Sequence, residues 1–377
     1  MFLRTASTAL HKLLIENIHA GGPITFADYM ETCLYHPEFG YYSGSLERRR
    51  ADYYTSVDMS PIFGRLIARQ LYEMWMILGR PNRFTIGEFG SGNGTLALQI
   101  LDFSRDELPE FYEAIDYSAI EVSAKRREVA KNLLAGHISG GRASILDEIS
   151  EGIVHGCVLT NEFLDALPVH RVVMENGKLR EIYVDAADDE IIERTMPVST
   201  RDVDEYFRRQ QVELGEGQRA EAGLRASAWI EHIGRILDRG FVLTIDYGRE
   251  ARELYDQHHM SGTMLAYWQH RASEDFYRAP GEQDLTAHAN FTALDSWGAK
   301  SGLVRTGLTS QTNFLLSLAR EFHFADLKVE GAGEAGQVRS RLQFKSLIFP
   351  EGMGETFQVM VQHKGIAQPV LTGLKPL

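Results

Sequence analysis

The sequence predicts an α/β protein with a mostly parallel sheet that is covered by helices on both faces. Short apolar strands alternate with helical segments from residue 84 onward, and a glycine-rich turn separates the first strand from its helix. Such alternation is typical of parallel sheets, whose buried strands form short continuous apolar runs. At 377 residues, 44% hydrophobic and 24% charged, the chain can bury a large core.

Apolar periodicity and turn residues predict the individual elements. The predicted core strands cover residues 84–89, 117–122, 143–146, 157–160 and 241–245. Helices are predicted over 95–101, 126–134 and 226–237. Ser60 and Pro61 indicate the start of another helix, because the missing N–H of proline is harmless there, and Ser123 is placed to cap the helix over 126–134. Residues 344–349 and 356–362 are expected to form a final antiparallel pair.

Four segments organise the chain in this prediction. Residues 1–80 form an N-terminal helical region that covers the ligand site, and residues 81–170 form the first part of the core. Residues 171–240 are an insertion that acts as a substrate lid. Residues 241–377 complete the sheet and include a second insertion at about 249–310. Both insertions are expected above the carboxyl ends of the strands, where open α/β sheets bind ligands.

The turn after the first strand carries the strongest ligand signal. It reads E-F-G-S-G-N-G-T from Glu88 to Thr95. Glycines let the backbone approach a ligand, and the following helix directs amide groups toward it. A dinucleotide turn has its last glycine where Thr95 stands, and the Glu88 carboxylate suits an ammonium group better than a pyrophosphate. The predicted contacts of this turn are Glu88, Gly90, Ser91, Gly92, Gly94 and Thr95.

Glu121 is the second element of the predicted cofactor site. It follows Gly90 by about 30 residues, at the end of the next strand, where an acid binds ribose hydroxyls. With the strands in order, the pattern predicts S-adenosylmethionine (SAM) as the cofactor, with Asn161, Thr55 and Ser56 as further contacts. The alternatives are a NAD-dependent oxidoreductase and a tight turn without a ligand.

Charge and cysteine usage limit the function classes. The formal net charge is -13, whereas a broad nucleic-acid-binding surface needs clustered positive charge. No nucleic-acid partner is therefore expected. Cys33 and Cys157 fit neither a disulfide framework nor a zinc site, and the histidines lack ligand spacing, so we predict no metal and a cytoplasmic location. No apolar run is long enough to span a membrane, and residues 10–18 are expected to form a first helix and not a removable leader. No oligomeric state is predicted.

The chain also resembles the MidA-like methyltransferases over roughly residues 20–362. The segments that carry the resemblance are G-P-I at 22–24, L-Y-H-P at 34–37, G-Y-Y at 40–42, N-E-F-L-D-A-L-P at 161–168, D-Y-G at 246–248 and D-L-T-A-H at 284–288. This family includes the mitochondrial complex I assembly factor that methylates an arginine of a complex I subunit. The resemblance implies a Rossmann-like class I methyltransferase that uses SAM, with a protein arginine as acceptor and a link to complex I assembly.

The sequence departs from the family pattern at three places. The family usually has G-D-F where this chain has A-D-Y at 51–53, and proline where Ser91 stands. Its usual G-T-L-R-G-Y becomes G-T-M-L-A-Y at 262–267, so Leu265 replaces an arginine on the predicted substrate side. A small molecule or RNA as acceptor, or a non-enzymatic SAM-binding assembly factor, therefore stay open as alternatives.

Carboxylates after the fourth and fifth strands are predicted to hold the acceptor. In methyl transfer the enzyme mainly supplies geometry, and carboxylates bind a guanidinium as a fixed fork. We expect Glu162 to orient the acceptor, Asp165 to support it, Asp246 to assist, and His288 to act as a polar contact or proton relay. Alternatively, Asn161 and Asp165 cap a short helix, Asp246 belongs to a turn, and His288 is structural.

Overall fold

A computed structural model describes residues 8–43, 60–149, 152–268, 271–327, 334–349 and 356–377. Its helices are α1 (Ala9–Gly21), α2 (Phe26–Tyr35), α3 (Pro61–Ile77), α4 (Thr95–Glu107), α5 (Pro109–Ala114), α6 (Ala124–Leu133), α7 (Ala135–Ser139), α8 (Arg201–Arg209), α9 (Leu224–Ile236), α10 (Ala251–Leu254), α11 (Phe291–Gly298), α12 (Gln311–Glu321) and α13 (Glu334–Ile348). Its strands are β1 (Ile24–Thr25), β2 (Phe84–Phe89), β3 (Ile115–Ile120), β4 (Ala143–Leu146), β5 (Ile153–Asn161), β6 (His170–Glu175), β7 (Lys178–Ala187), β8 (Glu190–Met196), β9 (Arg219–Ala222), β10 (Leu237–Arg249), β11 (Leu265–Trp268), β12 (Arg271–Ser273), β13 (Asp284–Thr286), β14 (Ala289–Asn290), β15 (Val304–Ser310) and β16 (Phe357–Lys364).

The chain divides into two compact units, each assembled from three stretches of sequence. The first unit comprises residues 1–53, 164–230 and 248–297, and the second comprises 54–163, 231–247 and 298–377. This grouping differs from the four consecutive segments expected from the sequence. Helix α3, for example, lies in the second unit because its apolar face joins the core of that unit.

The second unit contains seven strands of a mixed sheet in the order β4-β3-β2-β5-β10-β16-β15. The first five strands of this order are mutually parallel, and β16 runs antiparallel to both β10 and β15. The five predicted core strands are confirmed, with somewhat different ends. From β2 the chain continues outward to β3 and β4 on one side, and it then returns to form β5 on the other side of β2. This reversal of strand order makes a crevice at the carboxyl ends of β2 and β5.

The predicted strand at 344–349 is wrong, because these residues belong to α13 and the turn that follows it. Phe344 and Leu347 are buried in the core of the second unit. Their spacing of three places them on one helix face, whereas a strand would turn them to opposite faces. The predicted antiparallel arrangement of the last strand is correct, but its partners are β10 and β15.

The first unit contains a five-stranded sheet and a three-stranded sheet. Strands β1, β7, β6 and β9 are neighbours in that order, β8 pairs with β7, and β11 lies between β12 and β13. The predicted first helix is confirmed as α1, which buries Leu10, Leu14 and Ile18. Its first turn is capped by Thr8, whose hydroxyl accepts a hydrogen bond from the His11 N–H at 3.0 Å.

Candidate active site

The glycine-rich turn leaves the carboxyl end of β2 and leads into α4. Gly90, Gly92 and Gly94 have φ values of 71°, 58° and 82°. A Cβ added to Gly90 would lie 2.9 Å from Cδ2 of Phe163, so a larger residue would be both strained and crowded. The Ser91 N–H donates to the carbonyl of the last residue of β3 at 3.1 Å, which fixes the turn against the sheet.

Helix α4 begins directly after this turn. The side-chain oxygen of Asn93 accepts hydrogen bonds from the Thr95 N–H at 3.1 Å and the Thr95 hydroxyl at 2.7 Å. The Thr95 hydroxyl therefore stabilises the helix start. As in other strand-turn-helix units, the amino end of the helix presents partial positive charge to the crevice.

Glu88 is a buried acid at the end of β2, with 4% of its surface exposed. The hydroxyl of Tyr117 donates to its Oε2 at 2.9 Å. Burial raises the pKa of Glu88 to about 8, and the negative charge of Glu121 acts in the same direction. At neutral pH the carboxyl group is therefore mostly protonated in the free protein, and a bound cation would favour its ionised form.

Glu121 connects the glycine-rich turn to the end of β3. Its Oε2 accepts the Gly92 N–H at 3.0 Å and its Oε1 accepts the Ser123 N–H at 2.8 Å, while Arg126 Nη1 lies 3.9 Å from Oε2. A carboxylate oxygen can accept a second hydrogen bond. Ser123 is the N-cap residue of α6 as predicted, but its side chain makes no capping hydrogen bond. The adjacent Val122 is 66% exposed.

Two buried polar atoms at this edge of the sheet lack hydrogen-bond partners among the described residues. Ser91 Oγ and Asn161 Oδ1 have no hydrogen bond to the described residues. Unsatisfied buried polar atoms are costly and rare in native proteins, except where a ligand or water satisfies them. Together with the buried acid Glu88 and the acceptor oxygens of Glu121, these atoms fit a cofactor with an amino-acid group and a ribose.

The turn after β5 carries Glu162 in a left-handed backbone conformation, with φ of 51°. Its N–H donates to the Ile245 carbonyl at 3.0 Å, and the Asn161 side-chain amide donates to Glu162 Oε1 at 3.2 Å. Asp246 is fully buried and accepts the N–H groups of Phe163 at 3.1 Å and Tyr247 at 2.9 Å. Asp246 therefore holds the turn that presents Glu162. Strained residues held in this way are concentrated at functional sites.

Asp165 and His288 lie in the first unit. The Asp165 carbonyl accepts the Ala287 N–H at 2.9 Å, and the His288 N–H donates to the Thr263 hydroxyl at 3.1 Å. Burial, together with the charges of Arg249 and His259, lowers the pKa of His288 to about 4. The imidazole is thus neutral at physiological pH, where a pKa this low makes it a weak base. Residues 162–168 form turns, so the short helix considered for this segment is absent.

Two predicted cofactor contacts, Thr55 and Ser56, lie outside the described residues. Within the described ranges, no group of three or more His, Cys, Asp or Glu side chains is arranged to hold a metal ion. Over the same ranges, no helix combines the length and apolar character needed to cross a bilayer.

Sequence reasoning missed two residues of the cofactor region. Tyr117 lies on the neighbouring strand, and nothing local in the sequence indicates that its hydroxyl contacts Glu88. Val122 follows Glu121 directly and is 66% exposed, so its side chain is open to contact a ligand bound beside Glu121. Its exposure became apparent only with the end of β3 in place.

Three comparisons with known proteins agree with this geometry. Residues 66–309 match the model of a family of S-adenosyl-L-methionine-dependent methyltransferases. The mitochondrial protein arginine methyltransferase NDUFAF7 homolog of Drosophila melanogaster is 27% identical over 394 residues, covering 95% of this chain and 85% of that protein. Mitochondrial protein arginine methyltransferase NDUFAF7 of Danio rerio is 28% identical over 378 residues, covering 92% of this chain and 85% of that protein.

Solved structures are similar over nearly the whole chain. A Burkholderia thailandensis protein crystallised with S-adenosyl-homocysteine is 30% identical, with a TM-score of 0.86, covering 97% of this chain and 94% of that chain. A native crystal structure from the same organism gives 30% identity and a TM-score of 0.84 with the same coverage. The Rossmann-like sheet predicted from the sequence is thus confirmed.

Proposed function

The chain belongs to the family of SAM-dependent methyltransferases, and on this premise we propose that it methylates an arginine side chain of a protein substrate. The observation that carries the proposal is Glu162, a carboxylate held at the end of β5 by a strained turn beside the glycine-rich turn. The similar proteins named as protein arginine methyltransferases support the same acceptor. An assembly factor without catalysis would not need this carboxylate, and a NAD enzyme is inconsistent with the family.

We assign the cofactor contacts to the second unit. Glu88 would pair with the ammonium group of SAM, Glu121 with its ribose hydroxyls, and Ser91 Oγ and Asn161 Oδ1 would gain partners on binding. The remaining contacts come from the backbone and helix start at Gly90, Gly92, Gly94 and Thr95. Thr55 and Ser56 stay predictions. SAM supplies a methyl group on a sulfonium, which leaves a neutral thioether after transfer.

We propose that Glu162 binds the side chain of the methyl acceptor. Its carboxylate would accept guanidinium N–H groups and draw the positive charge toward them, which leaves electron density on the nitrogen that attacks. Asp246 would act as a positioning residue through the turn at Phe163. Asp165 as a support of the acceptor, and His288 as a polar contact or proton relay, stay predictions.

SAM affinity is expected to rise with pH. Because the pKa of Glu88 is raised to about 8 in the free protein, binding the cofactor ammonium requires the loss of one proton. Between about pH 5.5 and about pH 7.5, where that ammonium stays charged, Kd should fall by about tenfold per pH unit. Calorimetry in two buffers with different ionisation enthalpies should show one proton released.

Glu88→Gln is the matched control for this dependence. The amide keeps the size of the side chain and its hydrogen bond with Tyr117, but it cannot ionise. Its SAM affinity should be weaker and nearly independent of pH over the same range. A pH slope that survives in Glu88→Gln would show that another group releases the proton.

The proposed function is tested in two steps. Calorimetric titration with SAM, and separately with NADH, should show binding of SAM alone. Purified protein, SAM and arginine-containing peptides should then yield the mass increase of a methyl group, with matched lysine peptides unmodified. Modification of lysine peptides or of RNA would replace the arginine proposal. Absence of turnover with every acceptor, including proteins of the host lysate, would favour the non-enzymatic assembly factor.

The physiological setting is part of the proposal. The resemblance points to a subunit of respiratory complex I as the substrate, and the sequence points to a cytoplasmic location, whereas the relatives above are named as mitochondrial. Immunoprecipitation from the native host followed by mass spectrometry would identify the methylated partner. Fractionation of the same cells would locate the protein.

A further inference from the structure

Strand β8 lies at an edge of the five-stranded sheet of the first unit. Among the strands that the structure describes, β7 is its one partner, and the two strands pair without interruption from Ala187 and Glu190 at the turn to Glu181 and Met196 at the far end. An edge strand presents one row of backbone N–H and C=O groups that no neighbouring strand satisfies. Such a row is a template on which a further strand can form.

The turn between β7 and β8 determines which residues of β8 face outward. Two residues separate Ala187 from its partner Glu190, and the pair that closes a two-residue hairpin turn is a hydrogen-bonded pair. Hydrogen-bonded pairs recur at every second residue, so the even-numbered residues of β8 bond β7. The N–H and C=O groups of Ile191, Glu193 and Thr195 therefore point away from β7, and no other described segment donates to them or accepts from them.

The pairing of β7 with β6 gives the same result independently. These strands are joined by a two-residue turn at 176–177, which is closed by the pair of Glu175 and Lys178. The even-numbered residues of β7 therefore bond β6, and its odd-numbered residues are left to bond β8. In the register of β7 with β8, odd-numbered residues of β7 lie opposite even-numbered residues of β8. Both turns thus place the same three residues of β8 on the open edge.

The open edge of β8 lacks the features that usually protect an edge strand. Its seven residues include neither proline nor lysine, and its register with β7 contains no bulge. Strand β15, an edge strand of the same length in the second unit, has a register shift between Arg305 and Gly307. The edge strands β4, β9, β12 and β13 have four residues or fewer. Short length, proline, lysine and bulges are common means of preventing pairing at an edge, so β8 stands out as long and regular.

The charged side chains in the middle of β8 are already paired within the sheet. Arg194 Nη2 lies 2.7 Å from Asp185 Oδ2 on β7, and Glu193 Oε1 lies 2.7 Å from Arg171 Nη1 on β6. Their charges are therefore balanced by neighbours on the same sheet. A strand added at the open edge would meet backbone groups and no unpaired charge along the middle of β8.

The turn that begins β8 is acidic and favours a basic occupant. Asp188, Asp189 and Glu190 are exposed, and the described part of the chain gives these three carboxylates no ion pair. The unit around them is acidic as well: its three stretches contain 18 Lys and Arg residues against 28 Asp and Glu residues, a formal charge of -10. Charge of one sign attracts segments of the opposite sign before contact.

We propose that an extended basic segment of the protein substrate adds as a strand to the open edge of β8. The inference deepens the proposed function, on which it rests for the identity of the occupant as a protein. Backbone hydrogen bonds with Ile191, Glu193 and Thr195 supply affinity that tolerates different side chains. The acidic turn at 188–190 selects segments that carry arginine or lysine beside the paired residues.

Labelled peptides test this proposal by fluorescence anisotropy with the full-length protein. The first peptide has a central run of alternating threonine and valine with two arginines at each end. A second has citrulline in place of arginine, and a third has every central backbone nitrogen methylated. The first should bind at least about tenfold more tightly than the methylated peptide, and about threefold to tenfold more tightly than the citrulline peptide at low salt. Equal binding of the methylated peptide, or no binding of the first, would overturn the proposal.

Variants locate the binding to β8. Thr195→Pro removes one outward N–H and leaves the bonds to β7 in place, so it should weaken binding of the first peptide by about tenfold. Thr195→Val is the matched control and should bind as the parent does. The double variant Asp188→Asn with Asp189→Asn should weaken binding of the arginine peptide by about threefold at low salt and leave binding of the citrulline peptide unchanged. A Thr195→Pro protein that melts like the parent and binds equally well would refute the edge as the site.

Hydrogen exchange tests the edge without any substitution, and it carries the test if Thr195→Pro fails to fold. In the free protein the amides of Ile191, Glu193 and Thr195 should exchange faster than those of Ile192 and Arg194, and the first peptide should slow them. Slow exchange of the three amides in the free protein would show that the edge is already covered. Sedimentation of a parent dimer that Thr195→Pro converts to a monomer would assign the edge to a second copy of the chain. Either result would overturn the proposal.

Methyl transfer is measured separately on arginine peptides. Binding that responds to backbone methylation and to Thr195→Pro, without transfer to any arginine, would refute the proposed acceptor and leave this inference intact. Transfer to arginine that is indifferent to Thr195→Pro would support the proposed function and refute this inference. If both hold, Thr195→Pro should raise KM for the peptide much more than it lowers kcat.

Discussion

Glu162→Gln is expected to lower kcat for arginine methylation by at least about a hundredfold, with SAM affinity within about threefold of the parent protein. The amide has the same size as the carboxyl group and its oxygen can still accept the hydrogen bond from Asn161 Nδ2. It lacks the negative charge that would draw the guanidinium charge away from the attacking nitrogen. Turnover by mass spectrometry and SAM binding by calorimetry, on one preparation, check both halves of the expectation.

Two controls separate the carboxylate from its strained backbone. Glu162→Gly relieves the left-handed strain, because glycine adopts φ of 51° readily, and it removes the carboxylate. It should therefore be as inactive as Glu162→Gln while melting no lower than the parent. Glu128→Gln, at an exposed position on α6, should be fully active. Full activity in Glu162→Gln would eliminate the proposed role.

The part of the site that sequence could predict is local in the chain. The strand before the glycine-rich turn, the turn itself and Glu121 each carry their own signal: an apolar run, a glycine pattern, and an acid at a strand end. Ser60 and Pro61 likewise mark the start of α3 within two residues. Such short-range signals report backbone conformation directly, because they depend on steric preferences of adjacent residues.

The part that sequence could not predict depends on contacts between distant residues. Asp246 accepts the N–H of Phe163 across 83 positions of sequence, which makes it a support of the Glu162 turn, a role that no spacing indicates. Tyr117 and Glu88 meet only because β2 and β3 pair in a particular register.

The end of α13 shows how the periodicity of apolar residues can predict a strand where a helix forms. Residues 344–349 include the apolar Phe344, Leu347, Ile348 and Phe349 in a segment short enough for either a strand or a helix. Burial decides the matter, since the side chains of Phe344 and Leu347 face the same core while Leu342 is 60% exposed. Only the position of that core, built from α3, α12 and the sheet, distinguishes the two interpretations.

Glu121→Ala is expected to weaken SAM binding by about a hundredfold, or about 2.7 kcal/mol. The substitution removes the acceptor proposed for the ribose hydroxyls. It also leaves the N–H groups of Gly92 and Ser123 without the partner they have at 3.0 and 2.8 Å. Each loss of a hydrogen bond to a charged group costs about 1.5–3 kcal/mol in typical proteins, part of which water recovers at an open site. Calorimetric titration with SAM measures the effect.

Glu121 also balances a buried cation, which gives the same variant a second expected result. Arg126 lies 3.9 Å from Glu121, and the side chains of both residues are less than one tenth exposed. Glu121→Ala should therefore melt at lower temperature, whereas Glu121→Gln, which keeps the shape and one acceptor oxygen, should lose less in both stability and affinity. Asp116→Ala, at the amino end of the same strand and paired with Arg83 on the surface, is the matched control. If SAM bound Glu121→Ala as tightly as Asp116→Ala, the ribose would have to be held elsewhere, and Glu121 would be a structural acid of the turn alone.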